Sequence, residues 1–150
     1  MTRDAKAASG VTLAAPRVLH CMMEVWDLGR SIAFYEAALG FRVVERHRYP
    51  GHSLVYLRGD AGDFEIELIQ RDTRPAGMPS QTPGWHLAFG VRDLRAEHIR
   101  LKAAGLSPGA IEAYCPNSRY LADYFYLHDP DGYEIEYLEE RGRYARPLSE

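Results

Sequence analysis

The chain has few cysteines, little excess charge and no long apolar runs, and each shortage excludes a class of protein. Its two cysteines, Cys21 and Cys115, are too few for a disulfide framework and do not form a CxxC pair. A net charge of −3 over 150 residues offers no basic surface for a nucleic acid, and no apolar run reaches membrane-spanning length. Residues 1–17 lack the apolar stretch of a secretory signal. We therefore expect a cytoplasmic protein that binds neither nucleic acid nor membrane.

The first half of the chain has the hydrophobic pattern of a β-α-β-β-β unit. Residues 18–25 alternate as a strand does, and a helix is predicted next because Asp27 suits its N-cap and Gly40 its C-terminus. Three further strands are expected at residues 41–49, 52–57 and 63–70. Residues 71–82, with two prolines and a glycine, predict a loop.

The second half repeats this order. Its strands are predicted at residues 85–91 and 111–115 and in a hairpin over 124–140, and Asp93 suits the N-cap of its helix. The segment Val-Trp-Asp-Leu at 25–28 also matches Val-Arg-Asp-Leu at 91–94. We therefore predict a single domain over 17–140, with modules at about 17–71 and 83–140, between a flexible tail at 1–16 and a polar tail at 141–150.

Each module carries one histidine and one glutamate in matching places. His20 and His86 lie 66 positions apart on the first strands, and Glu67 and Glu136 lie 69 apart on the last strands. All four alternate with apolar neighbours, so they would point into one concave interior if both sheets pack their apolar faces on the helices. Two imidazoles and two carboxylates suit Zn, Ni, Co, Mn or Fe(II). The alternative is two core histidines and two exposed glutamates.

Four segments of the chain also carry a family pattern. They are LHCMMEVWDLGRSIAFYEAALGF at residues 19–41, DFEIEL at 63–68, GWHLAFGVRDL at 84–94 and DPDGYEIEYLEE at 129–140. Through them the chain resembles the vicinal oxygen chelate superfamily of glyoxalases, bleomycin resistance proteins and extradiol dioxygenases, and most of all bacterial glyoxalase I, the lactoylglutathione lyases. The similarity extends over about residues 19–140.

The resemblance implies an α+β fold in which two tandem βαβββ modules form a cupped mixed sheet with the helices on the outside. It implies a divalent metal ion, with Ni, Zn or Co favoured over Mn or Fe, held by His20, Glu67, His86 and Glu136. The superfamily usually assembles as homodimers, and in many relatives each site takes two ligands from each subunit.

The chemistry implied by the resemblance is that of a metal-dependent lyase acting on a small molecule. A hemithioacetal of a 2-oxoaldehyde and a thiol would become a 2-hydroxyacyl thioester through proton transfer in a metal-stabilised enediolate. Glu136 would be the catalytic base, with Glu67 as its possible counterpart, and would move the proton from C1 to C2.

Two positions depart from the pattern of glutathione-binding relatives. Those relatives tend to have an arginine four residues after the first ligand, where this chain has Glu24, and an asparagine four residues after the second, where it has Arg71. Glu24 is expected to repel the carboxylates of glutathione. Arg71 and Arg74 could partly compensate, so the use of glutathione stays open.

Two alternatives to a lyase remain from the sequence. One is another metal-dependent enzyme of the superfamily, an epimerase or an extradiol-type dioxygenase. The other is a non-catalytic drug-binding resistance protein, for which tyrosines of the second module could line an aromatic pocket, although such tyrosines more often pack. The tyrosines in question are Tyr114, Tyr120, Tyr124 and Tyr126. No role is assigned to His47, His52, His98 or His128, and Glu65 and Glu134 are expected to be solvated.

Overall fold

The structure is a computed structural model that describes residues 15–73 and 84–145, and its elements form two βαβββ modules. The first module contains β1 (His20–Glu24), α1 (Leu28–Leu39), β2 (Arg42–Tyr49), β3 (His52–Arg58) and β4 (Glu65–Arg71). The second contains β5 (His86–Val91), α2 (Leu94–Ala103), β6 (Glu112–Tyr114), β7 (Ala122–His128) and β8 (Glu134–Glu139). The predicted α+β class and the tandem modules are confirmed.

Each module forms its own four-stranded mixed sheet, in the order β1-β4-β3-β2 and β5-β8-β7-β6. The first and last strands of a module are parallel neighbours, and its other pairs are antiparallel. Met22 pairs with Glu67, and Ala88 pairs with Glu136. The histidine that comes two residues earlier on each first strand therefore lies on the same face as the glutamate and one step away from it.

The helix boundaries follow the capping residues that the sequence predicted. The carboxylate of Asp27 accepts the N–H of Arg30 and begins α1, and that of Asp93 accepts the N–H of Ala96 and begins α2. Gly40 ends α1 with a φ of 67°, a left-handed conformation that glycine adopts without a side-chain clash. The structure shortens

The apolar faces of the two sheets pack with the helices into one core. Tyr35 of α1, Ile66 of β4, and Phe125 and Tyr137 of the second sheet are fully buried in this single cluster. The rings of Phe125 and Tyr137 stack with centroids 4.8 Å apart. Because the helices cover these apolar faces, the opposite faces, which carry the candidate ligands, are left open.

The turn between β7 and β8 joins the second module to α1 of the first. The buried carboxylate of Asp131 accepts the backbone N–H of Trp26 at 3.2 Å and the hydroxyl of Ser31 at 3.3 Å. The hydroxyl of Tyr35 donates to Asp129 at 2.9 Å. Burial raises the pKa of Asp129, and its hydrogen bonds partly oppose that effect. The Asp-Pro-Asp-Gly segment is thus both the predicted hairpin turn and a link between modules.

Several predictions fall wholly or mainly on residues 1–14, 74–83 and 146–150, which lie outside the described part of the chain. These are the N-terminal tail, most of the loop at 71–82 including Arg74, and half of the polar C-terminal tail. Within the described residues, Gly142–Tyr144 form a short 3₁₀ turn, and the N–H of Arg143 donates to the carbonyl of Leu121. Neither helix in the described ranges has the length and apolarity needed to cross a membrane.

Candidate metal centre

The first half of the candidate centre is the pair of His20 on β1 and Glu67 on β4. Nε2 of His20 lies 3.1 Å from Oε2 of Glu67. The glutamate side chain is 14% exposed and the imidazole 46% exposed. A cleft of about 550 Å³ opens beside this pair, and Tyr56 and Arg58 are among its lining residues. The pair therefore combines a largely buried carboxylate with an imidazole that a ligand can reach.

The second half repeats this geometry on the other sheet. Nε2 of His86 on β5 lies 3.0 Å from Oε2 of Glu136 on β8, and the side chains are 40% and 13% exposed. The two pairs thus agree within 0.1 Å in separation and closely in burial. Such agreement at four positions is difficult to explain by two unrelated surface contacts.

A tyrosine completes each half, and the sequence-based analysis missed this role. Burial first, and then the charge of Glu67 and a hydrogen bond with it, raise the pKa of Tyr56 on β3. Burial, the charges of Glu136 and Glu134 and a hydrogen bond with Glu136 likewise raise the pKa of Tyr126 on β7. The rings meet the imidazoles of His20 and His86 edge to face, with centroids 6.2 and 5.7 Å apart.

The signal for these tyrosines was present in the repeat. Tyr56 and Tyr126 lie 70 positions apart, close to the spacing of 69 between the two glutamates. The strand pairing explains why they matter, since Tyr56 lies opposite Glu67 and Tyr126 lies opposite Glu136 in adjacent strands. We name each set a half-site: His20, Tyr56 and Glu67 form the first, and His86, Tyr126 and Glu136 form the second.

The donor atoms of each half-site fit a divalent metal ion. Two neighbouring ligands of an octahedral ion, each bonded at about 2.1 Å, lie about 3.0 Å apart. The observed separations of 3.1 and 3.0 Å between nitrogen and oxygen match this value. One nitrogen and one carboxylate oxygen per half-site would also compensate the charge of a divalent ion.

The described residues of one chain do not bring four ligands together. No group of three or more His, Cys, Asp or Glu side chains in ranges 15–73 and 84–145 is arranged to hold a metal ion. The structure unites His20 with Glu67 and His86 with Glu136, but not one pair with the other. A metal site built from all four therefore remains a prediction, and each chain provides two half-sites toward it.

The two positions that depart from glutathione-binding relatives form an ion pair with each other. Nε of Arg71 on β4 lies 3.2 Å from Oε2 of Glu24 on β1. The carboxylate is 15% exposed and the guanidinium 45% exposed. Both residues share the sheet face of the first half-site, by the alternation of their strands. The sequence identified both positions but not their contact.

The remaining polar residues near the half-sites have other partners. Glu65 and Glu134, expected to be solvated, lie 3.5 Å from Arg58 and 3.4 Å from His128, respectively. Both glutamates are partly exposed, at 25% and 40% of their side chains. These contacts are typical of partly solvated ion pairs rather than of ligands.

Comparisons with known proteins agree with this geometry. The family described as Glyoxalase/Bleomycin resistance protein/Dioxygenase superfamily matches residues 17–137. The lactoylglutathione lyase of Haemophilus influenzae is 32% identical over 136 residues, which cover 83% of this chain and 93% of that protein. This similarity extends over both modules and both half-sites.

Solved structures show the same fold. The trypanothione-dependent glyoxalase I of Leishmania major is 30% identical, with a TM-score of 0.61 over 84% of this chain and 88% of the other. TnmS3, an antibiotic binding protein from a Streptomyces species, is 19% identical, with a TM-score of 0.66 over 85% and 98% of the two chains. The second likeness shows the fold alone, and it shows that this fold also occurs in a protein named for binding.

Proposed function

The chain belongs to the Glyoxalase/Bleomycin resistance protein/Dioxygenase superfamily, and we propose that it is a metal-dependent lyase of the glyoxalase I type. Its substrate would be the hemithioacetal of a 2-oxoaldehyde and a thiol, and its product the isomeric 2-hydroxyacyl thioester. The observation that carries this proposal is the duplicated half-site, in which a histidine, a glutamate and a tyrosine recur with nitrogen–oxygen separations of 3.1 and 3.0 Å. A superfamily protein that only binds a drug has no need for such a donor set.

The metal would be held by His20 and Glu67 of one protomer together with His86 and Glu136 of its partner. Two imidazoles and two carboxylates favour Ni, Zn or Co, with Mn or Fe as further candidates. When bound, the metal supplies positive charge that stabilises the negative charge developing on the substrate oxygens. The half-sites of one chain do not form this set by themselves, so the site requires a second copy.

The surface around the first half-site suits such a homodimer. β1 and β5 are edge strands of their sheets, so each has one side without a strand partner within the described chain. Apolar side chains in and beside β1 are exposed, namely Val18, Leu19, Met22 and Trp26. A second copy that covers this apolar edge would bring its second half-site to the first half-site of the other chain.

Glu136 is the base in this proposal. Its carboxylate would take the proton from C1 of the hemithioacetal and return it to C2, while the hydroxyl proton passes from O1 to O2. No atom is gained or lost, and the aldehyde carbon becomes the thioester carbonyl. Tyr126 contacts Glu136 and would orient its carboxylate. Because Glu67 and Tyr56 have the same geometry, the assignment of the base rests on the family pattern.

Metal content and turnover of the purified protein test the proposal directly. We expect one divalent ion per protomer by elemental analysis, and turnover of methylglyoxal with a thiol after loading with Ni, Co or Zn. Glu65→Gln serves as a control because Glu65 lies on the same face of β4 but outside the half-site. Stoichiometric metal without turnover would leave another metal-dependent enzyme of the superfamily, and the absence of bound metal would favour a drug-binding protein.

Mixing two inactive double variants tests whether the site is shared between subunits. The variant H20A/E67Q lacks the first half-site, and H86A/E136Q lacks the second. In a heterodimer of the two, one of the two shared sites would be intact, so coexpression should restore about a quarter of the wild-type activity per protomer. Recovery of no activity from heterodimers that have been isolated would contradict the shared site.

A further inference from the structure

A second polar cleft lies at the end of the second sheet, away from the half-sites. It has a volume of about 640 Å³ and lies between the β6–β7 connection and the 3₁₀ turn at Gly142–Tyr144. Arg119 and Arg143 line it from these two segments, and Asn117 and Tyr120 also contribute. None of the described residues that line this cleft is acidic.

The charges of the two arginines in this cleft are not compensated by carboxylates. Across the described ranges, neither Arg119 nor Arg143 has an acidic group within 4 Å. Arg141 beside them is different, since its guanidinium pairs with both Asp123 and Glu139 and donates to the hydroxyl of Tyr120 at 3.1 Å. Two exposed guanidinium groups thus face one cavity while the nearby acidic groups are already engaged.

The backbone around the cleft holds both arginines in place. Asn117 and Ser118 have φ values of 51° and 62°, a left-handed conformation that costs non-glycine residues about 1–2 kcal/mol each. Gly142 approaches Leu121 so closely that a Cβ there would lie 2.6 Å from the carbonyl oxygen. The next residue, Arg143, then donates its N–H to that oxygen at 3.1 Å.

The cleft lies in line with the second half-site. Tyr126 contacts Glu136, and Tyr124 and Tyr120 lie two and six residues earlier on β7 and its extended N-terminal continuation. Side chains two residues apart in a strand share a face, so these tyrosines form one row. At about 3.3 Å per residue, the row extends roughly 20 Å from Tyr126 to Tyr120.

We propose that the cleft between Arg119 and Arg143 binds the anionic end, a carboxylate or a phosphate, of the thiol carrier whose sulfur reacts at Glu136. This inference rests on the proposed function and names a substrate class for it. Arginine pairs hold such anions through paired, charge-assisted hydrogen bonds. A span of roughly 20 Å exceeds the reach of about 10 Å for a tripeptide thiol and favours a longer, phosphate-bearing carrier.

Calorimetric titration of the metal-free protein with glutathione and with coenzyme A tests the cleft without turnover. We expect coenzyme A to bind, and the double variant R119Q/R143Q to weaken its binding about tenfold or more. A weaker loss, or none, is expected for glutathione; a larger loss for glutathione would identify a carboxylate carrier. The control R46Q removes an exposed arginine of the other module and should bind both probes as the wild type does.

Equal binding of both probes by the wild type and R119Q/R143Q would overturn the inference, and so would binding of neither probe by the wild type. In the metal-loaded enzyme, the double variant should raise KM for the carrier hemithioacetal about tenfold with kcat retained, and leave KM for the 2-mercaptoethanol hemithioacetal unchanged. Lost titration binding in a protein without any turnover would uphold the cleft and refute the proposed function, so the two can fail separately.

Discussion

The two modules share their half-sites but differ at the sheet end beyond them. In the first module, Glu24 and Arg71 form an ion pair on the face that carries His20. The repeat spacings of 66 and 69 place Gly90 and Glu140 at the corresponding positions of the second module. There the side chain of Glu140 lies over Gly90, so that a Cβ on Gly90 would be 3.0 Å from its Cγ.

This difference separates two parts of the molecule by their tolerance to change. A metal site requires donor atoms at fixed distances, so both modules keep the same histidine, tyrosine and glutamate. The neighbouring surface need only fit the remainder of a substrate, and there the modules carry different charges. We therefore expect changes within the half-sites to affect catalysis most and changes at Glu24 to affect the choice of thiol.

The largest expected effect would break the equivalence of the two half-sites. If Glu136 is the base, Glu136→Gln should lower kcat by a factor of roughly 10²–10⁴ while metal still binds. Glu67→Gln should reduce metal affinity more than kcat at saturating metal. Steady-state kinetics and metal titration of both variants, with Glu65→Gln as the control, measure the difference. Wild-type kcat in Glu136→Gln would contradict the assignment, and a base role for Glu67 would reverse the pattern.

A smaller effect is expected where the modules are joined. Asp131→Ala would leave the buried N–H of Trp26 and the hydroxyl of Ser31 without their acceptor. The free energy of unfolding should fall by about 1–3 kcal/mol, because buried polar groups that lose their partner keep the cost of desolvation. Urea unfolding of the variant measures this change.

The control for the Asp131 variant is Asp60→Ala, since Asp60 is 87% exposed and pairs with Arg42 at the surface. Its free energy of unfolding should change by less than about 0.5 kcal/mol. An equal loss in the two variants would show that the turn between β7 and β8 contributes no more to stability than a surface ion pair.

The smallest expected effect would sharpen the difference between the modules. Glu24→Gln removes a negative charge while Arg71 stays, so the repulsion of glutathione carboxylates should fall. We expect KM for the glutathione hemithioacetal to drop about three- to tenfold and KM for the uncharged 2-mercaptoethanol substrate to stay within twofold. An unchanged KM for glutathione would mean that Glu24 does not face the thiol carrier.

The elements and the candidate ligands could be predicted because their signals are local in sequence. Helix caps at Asp27 and Asp93 and the turn at Asp129-Pro130-Asp131-Gly132 depend on neighbouring residues. The repeat then aligned His20 with His86 and Glu67 with Glu136. Tyr56 escaped prediction because its importance arises only from its place opposite Glu67 in the neighbouring strand.

The sequence by itself determined two βαβββ modules and four metal-ligating side chains on their polar strand faces, because periodicity and capping act within a few residues. Only the tertiary structure decided that each histidine meets the glutamate of its own module, and that Glu24 pairs with Arg71. It also decided that Asp131 binds Trp26, a residue 105 positions away. Contacts over such separations depend on how whole sheets and helices pack, and no local pattern encodes them.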